Sequence, residues 1–324
     1  MTVGYSPPAI VAGVCVVNVA IAGGTGGVGR AVLEVLQTSS KHQAFVLSRQ
    51  PSLDLPNTIV VDCNDIDALV LILETNTIHT VISTFGITST SIAVSQLNLI
   101  KAAAKSQTTK RFVPSGFAIP YPQEAIQILP QLKGYFASIT ELRKSTLEWT
   151  IFHNRIFLDY YRTSSLKSYL KPNIFVIDIE NKVAGIPGDG NAPVTFTYSF
   201  DLAKFVVASL DFEDWDEESR VVGDEMSWNE FVALAEEVRG SRFETHYDNV
   251  DKLKRFEITE LLAQRALYED FPKQIYQRFM SIFELFTVDG TSRISKAGSL
   301  NERFPDIRTL TGRDLLDQCS RWDD

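Results

Sequence analysis

A cluster of glycines separates an apolar run from a helical pattern in the segment NVAIAGGTGGVGRAVLEVL, Asn18 to Leu36. Glycines here let the backbone turn tightly and let a phosphate approach the chain without side chains in the way. The helix that follows offers its free N–H groups and the positive end of its dipole to that phosphate. The segment therefore predicts a dinucleotide site, with a plain tight turn as the alternative. The glycines concerned are Gly23, Gly26, Gly27 and Gly29.

The end of the next apolar run, QAFVLS, indicates which dinucleotide would bind. An NAD site needs Asp or Glu there to hold the ribose 2′-hydroxyl. Ser48 and Arg49 stand there instead, about twenty residues after Gly29. A guanidinium can fork onto a 2′-phosphate and a hydroxyl can add a hydrogen bond, so NADPH or NADP+ is favoured. An exposed arginine after a strand is the alternative, and Asp62 is expected either to meet the adenine edge or to cap the next helix.

A parallel sheet is needed to position these residues. Up to Phe157, short runs rich in β-branched residues alternate with helical stretches, which is typical of strands joined by crossover helices. Beyond Phe157 the alternation weakens into extended segments, turns and amphipathic helices. We predict an α/β protein with a Rossmann-type doubly wound parallel sheet over residues 1–157, where residues 1–15 are an extension. Residues 158–324 would form a smaller α+β substrate-binding or cap domain, and return segments to the sheet are left open.

Composition limits the partners and the compartment. A net charge of −9 and a pI near 5.1 argue against a nucleic-acid partner. Three cysteines, Cys15, Cys63 and Cys319, are far apart, which predicts reduced thiols in an intracellular, cytoplasmic protein. The apolar run before the glycines is too short to span a membrane. No pattern of metal ligands occurs among the dispersed histidines and cysteines, so no metal site is predicted.

Seven segments occur in an order that resembles a known family. They are GGTGGVG, VDCNDIDAL, KRFVPSGFA, LEWTIFHNRIFLDYY, IPGDG, FTYSFDLAKFVVASL and GDEMSWNEFVALAEEVRG. Together they resemble the NmrA-like branch of the atypical short-chain dehydrogenases, close to the isoflavone reductase-like proteins and most like their fungal members. The resemblance extends from about residue 16 to 310 and implies a Rossmann domain, a smaller substrate domain and NADPH as cofactor.

The resemblance also implies which residues meet the cofactor. By position, the cofactor would be lined by Thr25, Gly26, Val28, Ser48, Arg49, Thr84, Phe85 and Gly86. Asn154 and Phe157 match an N-x-x-F stretch that borders nicotinamide and substrate in the family.

The catalytic group is less clear. No Y-x-x-x-K motif occurs, which excludes the usual short-chain dehydrogenase pair. Isoflavone reductase-like enzymes instead carry a lysine at the start of the helix before the sixth strand, which here suggests Lys133. Counting back from Thr150 without gaps places that position on Tyr135. Because two residues turn a helix by about 200°, the two side chains cannot occupy the same position beside the cofactor. The catalytic group is therefore Lys133, Tyr135 or neither of them, and the choice is left open.

Other polar and aromatic residues near the strand ends are candidates for the site. Ser115 follows the fifth strand, where a hydroxyl can reach substrate or nicotinamide. His153 ends the sixth strand, but its expected direction favours a packed histidine. Tyr160 and Tyr161 would cover the substrate or belong to a core. Arg155 stands where fungal relatives usually carry glycine, and either narrows the site or brings charge to it.

The expected function is an NADPH-dependent oxidoreductase. Hydride would pass to a C=C or C=O of a small, aromatic or polyketide-like metabolite, in secondary-metabolite biosynthesis. One alternative is an NmrA-type redox sensor that binds the dinucleotide without turnover and partners a transcription factor. Another is a redox-neutral isomerase or cyclase. A homodimer is left open.

Overall fold

The computed structural model of the protein describes residues 16–52, 54–55, 57–86, 91–162 and 165–318. The predicted extension at residues 1–15 lies outside the described residues, as do Cys15 and Cys319. No helix in the described ranges is both long and apolar enough to cross a membrane.

A parallel sheet of six strands forms the first half of the chain. Its strands are β1 (Val17–Ala22), β2 (His42–Ser48), β3 (Thr58–Val60), β4 (Ile78–Ser83), β5 (Arg111–Val113) and β6 (Glu148–Trp149). They lie side by side in the order β3-β2-β1-β4-β5-β6, and every neighbouring pair is parallel. The order reverses between β1 and β4, where open α/β sheets bind ligands at the carboxyl ends of their strands. The prediction of a doubly wound Rossmann-type sheet is confirmed.

Helices cover both faces of this sheet. They are α1 (Gly27–Leu36), α2 (Ile66–Thr75), α3 (Leu97–Lys105), α4 (Leu132–Lys144) and α5 (Ser199–Ser209). One core joins the sheet to α1 and α5, and a second core joins it to α2, α3 and α4. Asp65 starts α2 by accepting a hydrogen bond from the Ala68 N–H at 2.9 Å. A π-helical turn at Ser91–Gln96 leads into α3, and a 3₁₀ turn at Gln123–Gln127 comes before α4.

Shorter strands and further helices make up the second half. The strands are β7 (Ile151–His153), β8 (Ile156–Phe157), β9 (Ile177–Asp178), β10 (Val183–Pro187), β11 (Pro193–Thr197), β12 (Glu218–Arg220), β13 (Asp224–Ser227) and β14 (Glu244–Asp248). The helices are α6 (Trp228–Arg239), α7 (Val250–Lys254), α8 (Lys273–Val288), α9 (Leu300–Arg303) and α10 (Gly312–Gln318). The strands form two sheets of three, β14-β10-β9 and β13-β11-β8, and the pair β12-β7.

The predicted sixth strand, residues 148–154, is divided in two. β6 pairs with β5, whereas β7 pairs in parallel with β12, which returns from the second half of the chain. A further bridge joins His153 to Ala118, just beyond β5. The division matters for the site because the residues that follow β7 carry several of the predicted contacts.

A separate aromatic core holds the second half together. Trp228, Phe196, Phe231 and Tyr161 are buried and meet edge to face. Ser227 caps α6, since its hydroxyl accepts from the Glu230 N–H while the Glu230 carboxylate accepts from the Ser227 N–H. This core supports α8, whose middle borders the cleft described below.

Candidate active site

The glycine turn has the shape that a pyrophosphate requires. Gly23 has a φ of +85°, which disfavours any other residue. A Cβ atom on Gly29 would lie 2.4 Å from Thr84 Oγ1 and 2.5 Å from the Gly23 carbonyl oxygen, so only glycine fits there. Gly26 is the N-cap of α1; it provides no side-chain cap, and the first turn carries no acidic residue. The helix start therefore keeps N–H groups and partial positive charge for an anion.

A cleft of about 530 Å³ runs from the glycine turn to the end of β2, and we call it the adenosine cleft. Its lining consists of Ala22, Gly23, Thr25, Leu47, Ser48, Arg49, Gln50, Val61, Cys63, Phe85, Ser91, Ser95 and Leu99. Arg49 is exposed, and no hydrogen bond or ion pair is found for it among the described residues. These residues fit an NADP-type ligand, because the cleft lining includes a guanidinium that has no hydrogen-bond partner in the described ranges and can bind a phosphate through two N–H groups.

Asp62 does not cap the next helix, and its contact with the adenine edge stays a prediction. It lies outside the lining of the adenosine cleft, and the cap of α2 is Asp65. Its Oδ1 instead accepts hydrogen bonds from the backbone and side chain of Asn64, at 2.9 and 3.0 Å. Asp62 therefore closes the turn between β3 and α2.

A second cleft of about 470 Å³ meets the adenosine cleft at Phe85, and we call it the reaction cleft. Its side chains are mostly aromatic or aliphatic. The lining consists of Gly26, Gly27, Val28, Thr84, Phe85, Gly86, Ser115, Phe117, Ala118, Tyr121, Arg155, Ile156, Phe157, Tyr160, Asn173, Phe175, Phe279, Met280 and Phe283. Such an apolar cleft with a few polar groups is typical of a small-molecule site.

Hydrogen bonds hold the loop between the two clefts. Thr84 donates its N–H and its hydroxyl to the Ala22 carbonyl, both at 2.9 Å. Ser115 donates its hydroxyl to the Phe85 carbonyl at 2.6 Å and its N–H to Gln96 Oε1 at 2.8 Å. Ser115 lies in the lining of the reaction cleft, and its hydroxyl fixes the loop that joins the two clefts.

Tyr121 is a cleft residue that the sequence analysis missed. It lines the reaction cleft, and its buried hydroxyl has no hydrogen-bond partner within the described ranges. Burial raises the pKa of this phenol, so it stays protonated at neutral pH. Its ring also meets Phe283 of α8 edge to face. The only signal in the sequence was its place after the fifth strand, where parallel sheets present ligand-binding groups.

Neither predicted catalytic residue lines the reaction cleft. Lys133 is exposed in the first turn of α4. Tyr135 is buried in the core between the sheet and α4, where burial, with a smaller contribution from the Glu218 carboxylate, raises its pKa. α4 begins at Leu132, so both residues lie on the helix and point in different directions.

His153 and Asn154 are buried side by side with unusual polar surroundings. Neither ring nitrogen of His153 and neither amide atom of Asn154 has a hydrogen-bond partner in the described part of the chain. Burial, helped by Arg155 and Arg220, lowers the pKa of His153 to about 3, so its imidazole is neutral. Both residues lie outside the lining of the reaction cleft. Phe157, the last residue of the same N-x-x-F stretch, belongs to that lining.

The two adjacent tyrosines of this segment have different places. Tyr160 lines the reaction cleft with its ring edge-on to Phe157, and burial raises its pKa to about 12. Tyr161 lies in the aromatic core of the second half, where its hydroxyl donates to the Phe175 carbonyl at 3.0 Å. Of the two roles left open, Tyr160 has the position for substrate contact and Tyr161 belongs to the core.

The described residues bring together no group of three or more His, Cys, Asp or Glu side chains that could hold a metal ion. The polar groups at the reaction cleft are hydroxyls, one carboxamide and one guanidinium. These groups can donate hydrogen bonds and a proton beside a dinucleotide.

Comparison with known proteins agrees with this arrangement. The chain is 34% identical to "Oxidoreductase BOA1" of Botryotinia fuckeliana (strain B05.10) over 305 residues, which span 92% of this chain and 97% of the relative. It is 31% identical to "Oxidoreductase swnN" of Metarhizium robertsii over 328 residues, spanning 93% and 96% of the two chains.

Solved structures share the fold at lower identity. The binary complex of leucoanthocyanidin reductase with NADPH from Vitis vinifera has a TM-score of 0.70 at 21% identity, covering 94% of this chain and 99% of that one. AtPrR2 with NADP+ and (+)pinoresinol has a TM-score of 0.69 at 18% identity, covering 93% and 98%. The sequence pattern of the NmrA-like family matches residues 17–306. With most of its length matched, and with the resemblance seen in its motifs confirmed, this chain belongs to the NmrA-like family.

Proposed function

We propose that the protein is an NADPH-dependent reductase. It adds hydride and a proton across a polarised C=C or C=O of a small, aromatic or polyketide-like metabolite, in secondary-metabolite biosynthesis. The observation that carries this proposal is the open, aromatic-lined reaction cleft, which meets the adenosine cleft at Phe85. A protein that only senses the dinucleotide does not need such a cleft beside it.

Relatives and structural neighbours support the same activity. The two fungal relatives are named oxidoreductases, and the plant reductases of this fold are known in complexes with NADPH or NADP+. In this chain, Arg49 and Ser48 at the end of β2 would hold the 2′-phosphate, and the start of α1 would hold the pyrophosphate. The dinucleotide, when bound, supplies the hydride.

The aromatic side chains of the reaction cleft orient the substrate and exclude water. Phe85 and Phe117 stand on the sheet side, and Phe279 and Phe283 of α8 stand on the other. Exclusion of water strengthens each polar contact inside the cleft and limits side reactions. A flat, unsaturated substrate would fit between these rings.

Tyr121 is the residue that we place as proton donor. Tyr121 belongs to the lining of the reaction cleft, and its protonated, buried hydroxyl has no hydrogen-bond partner among the described residues. It would donate a hydrogen bond to the substrate oxygen and then its proton, as negative charge develops there during hydride transfer. Lys133 and Tyr135 stay predictions for the same role, although neither lines the cleft.

A titration with NADPH, NADP+, NADH and NAD+ tests the cofactor assignment. We expect NADPH to bind at least about tenfold more tightly than NADH, since a charge-assisted contact to phosphate contributes about 1.5–3 kcal/mol. Arg49→Ala should remove most of this preference. Arg143→Ala is the matched control, because Arg143 is exposed, lines neither cleft and pairs with Glu217.

Oxidation of NADPH in the presence of aromatic ketones and enones tests the reaction. Turnover of any of these carbonyl compounds supports a reductase. The redox-sensor alternative would be favoured if NADPH binds tightly but no compound of the panel oxidises it. In that case no hydride should be exchanged between the cofactor and the reduced products either. Equal affinity for phosphorylated and unphosphorylated cofactors would contradict the NADPH assignment.

A further inference from the structure

Arg155 is the only charged residue among the described residues that line the reaction cleft. Every other lining side chain is apolar or neutral, so the charge of this residue dominates the electrostatics of the cleft. Two further features of Arg155 cost free energy in the structure, namely its backbone conformation and its buried guanidinium nitrogens.

The first feature is the backbone of Arg155. Its φ is +63°, in the left-handed region, where a residue other than glycine costs roughly 1–2 kcal/mol. The conformation is set by a tight turn between β7 and β8, in which the N–H groups of Asn154 and Arg155 both donate to the Ala118 carbonyl, at 3.2 and 3.1 Å. Glycine would suit this turn better, so the presence of arginine calls for a reason in its side chain.

The second feature is the guanidinium. Its Nη2 donates to the Arg293 carbonyl at 2.7 Å, but Nε and Nη1 are buried and have no hydrogen-bond partner in the described ranges. A buried donor without a partner costs about 1–3 kcal/mol, and more when it is charged. Burial lowers the pKa of Arg155 to about 10, which still leaves the group charged at neutral pH.

Neighbouring groups leave this charge largely uncompensated. The Glu218 carboxylate acts on Arg155 from a distance, but the described residues include no ion pair between the two. His153 is neutral, and Arg220 adds a second positive charge nearby. The protein therefore holds a cation with unused donors at the edge of an apolar cleft.

We propose that Arg155 binds a carboxylate of the substrate, which makes the substrate an aromatic or polyketide-like acid. This inference rests on the proposed function and names the substrate class of its cleft. A carboxylate would supply acceptors to a guanidinium that lacks them, and the guanidinium would offset the cost of taking that carboxylate into an apolar cleft.

A rotation of the Arg155 side chain accompanies this binding. Nε and Nη1 are shielded from solvent in the present arrangement, so they must turn toward the cleft to meet the carboxylate. In the described part of the chain, the guanidinium has one hydrogen bond, to the Arg293 carbonyl at an exposed edge, and the rotation breaks it. A long side chain with one such contact can change rotamer at small cost.

Two matched probes test the proposal on the complex with saturating NADP+. They are 2-naphthoate and 2-naphthamide, which differ in charge but hardly in shape. We expect the naphthoate to bind at least about tenfold more tightly than the amide, which corresponds to about 1.4 kcal/mol. Arg155→Gln should reduce this ratio to about one, whereas Arg155→Lys should keep most of it. The affinity for NADP+ should stay the same in all variants.

Several outcomes would overturn the proposal. Equal binding of the two probes by the parent protein, no binding of the naphthoate, or a ratio that survives Arg155→Gln would each do so. If Arg155→Gln folds poorly, Arg155→Gly removes the same charge while relieving the backbone at φ +63°, and the same ratio is read. Failure of the proposed function appears separately, as weak NADPH binding or no oxidation of NADPH with neutral and acidic carbonyl compounds alike.

Discussion

The rings of Tyr121 and Tyr135 meet edge to face, with centroids 5.4 Å apart and planes at 83°. Tyr121 lines the reaction cleft, whereas Tyr135 packs behind it in the core. The loop after β5 therefore brings Tyr121 to the cleft, and Tyr135 of α4 supports that loop from behind.

Substitution of Tyr121 by Phe should lower kcat without weakening NADPH binding. Loss of a positioned proton donor typically costs about 10²-fold or more in rate. The ring of Phe keeps the contacts with Phe283 and Tyr135, so folding should be preserved. Steady-state kinetics on the best carbonyl substrate, together with an NADPH titration, measures both effects.

Tyr135→Phe is the matched control for this experiment. It removes the same atom from the neighbouring ring in the core, and we expect kcat to change by less than about threefold. A large loss of kcat in Tyr135→Phe with little change in Tyr121→Phe would reverse the assignment. Lys133→Ala tests the other residue that the sequence predicted for this role, which is exposed on α4.

Much of the fold could be predicted because it follows from local patterns. The alternation of apolar strands and amphipathic helices indicated β1, α1 and β2. The glycine turn between β1 and α1 indicated where the adenosine cleft lies. The division of the sixth strand could not be predicted, because it depends on β12, which pairs with β7 from far along the chain. A single strand pattern gives no information about such a partner.

The catalytic position was harder to predict for a similar reason. Counting residues back from Thr150 does not show which face of α4 meets the cleft. In the structure, neither Lys133 nor Tyr135 of this helix lines the cleft. Tyr121 lies in a loop without periodicity, so only the folded chain shows that its hydroxyl has no hydrogen-bond partner among the described residues. The positive φ of Arg155 could not be predicted either, because an arginine in a strand-like segment gives no sign of a left-handed backbone.

Gly26→Ala and Gly29→Ala should separate cofactor contact from protein packing. A Cβ on Gly29 would clash with Thr84 Oγ1 and the Gly23 carbonyl, so overpacking should lower the free energy of unfolding by about 1–3 kcal/mol and weaken NADPH binding too. A Cβ on Gly26 would approach no protein atom closer than 3.7 Å.

Gly26→Ala should therefore leave stability unchanged within about 0.5 kcal/mol and weaken NADPH binding by about tenfold or more. Urea unfolding of the apoprotein and an NADPH titration measure the two quantities. Normal NADPH affinity in Gly26→Ala would contradict the placement of the pyrophosphate at this turn.

The thiol of Cys63 should report occupation of the adenosine cleft. Cys63 is buried in the lining of that cleft, and burial raises its pKa, so alkylation should be slow and should accelerate as the pH rises toward 9 and above. Saturating NADP+ should slow the reaction with iodoacetamide at least about tenfold, since a bound ligand blocks approach through the cleft.

Peptide mass spectrometry resolves this labelling from that of Cys15 and Cys319. NAD+ at the same concentration is the control, and it should protect Cys63 less than NADP+ does because it lacks the 2′-phosphate. Equal labelling of Cys63 with and without NADP+ would show that the adenosine moiety binds elsewhere.

Glu284 should make the protein less stable as the pH rises. Its carboxyl group is buried in α8, and its Oε2 has no hydrogen-bond partner among the described residues. Burial, reinforced by the buried Asp248 carboxylate and opposed by Lys252, raises the pKa of Glu284 well above its usual value. The folded state therefore binds this proton more tightly than the unfolded state does.

The sign of the pH dependence follows from that difference. The stabilising contribution is complete below the unfolded pKa near 4.5 and is lost progressively as the pH rises toward the folded pKa. Glu284→Gln resembles the protonated carboxyl at every pH, so it should match the parent at pH 4 and exceed it at pH 8. We expect a gain of at least about 1.4 kcal/mol at pH 8, which corresponds to one pKa unit. Urea unfolding at the two pH values measures the gain, with the exposed Glu124→Gln as control. A difference between parent and Glu284→Gln that does not grow from pH 4 to pH 8 would mean that folding does not raise the pKa of Glu284.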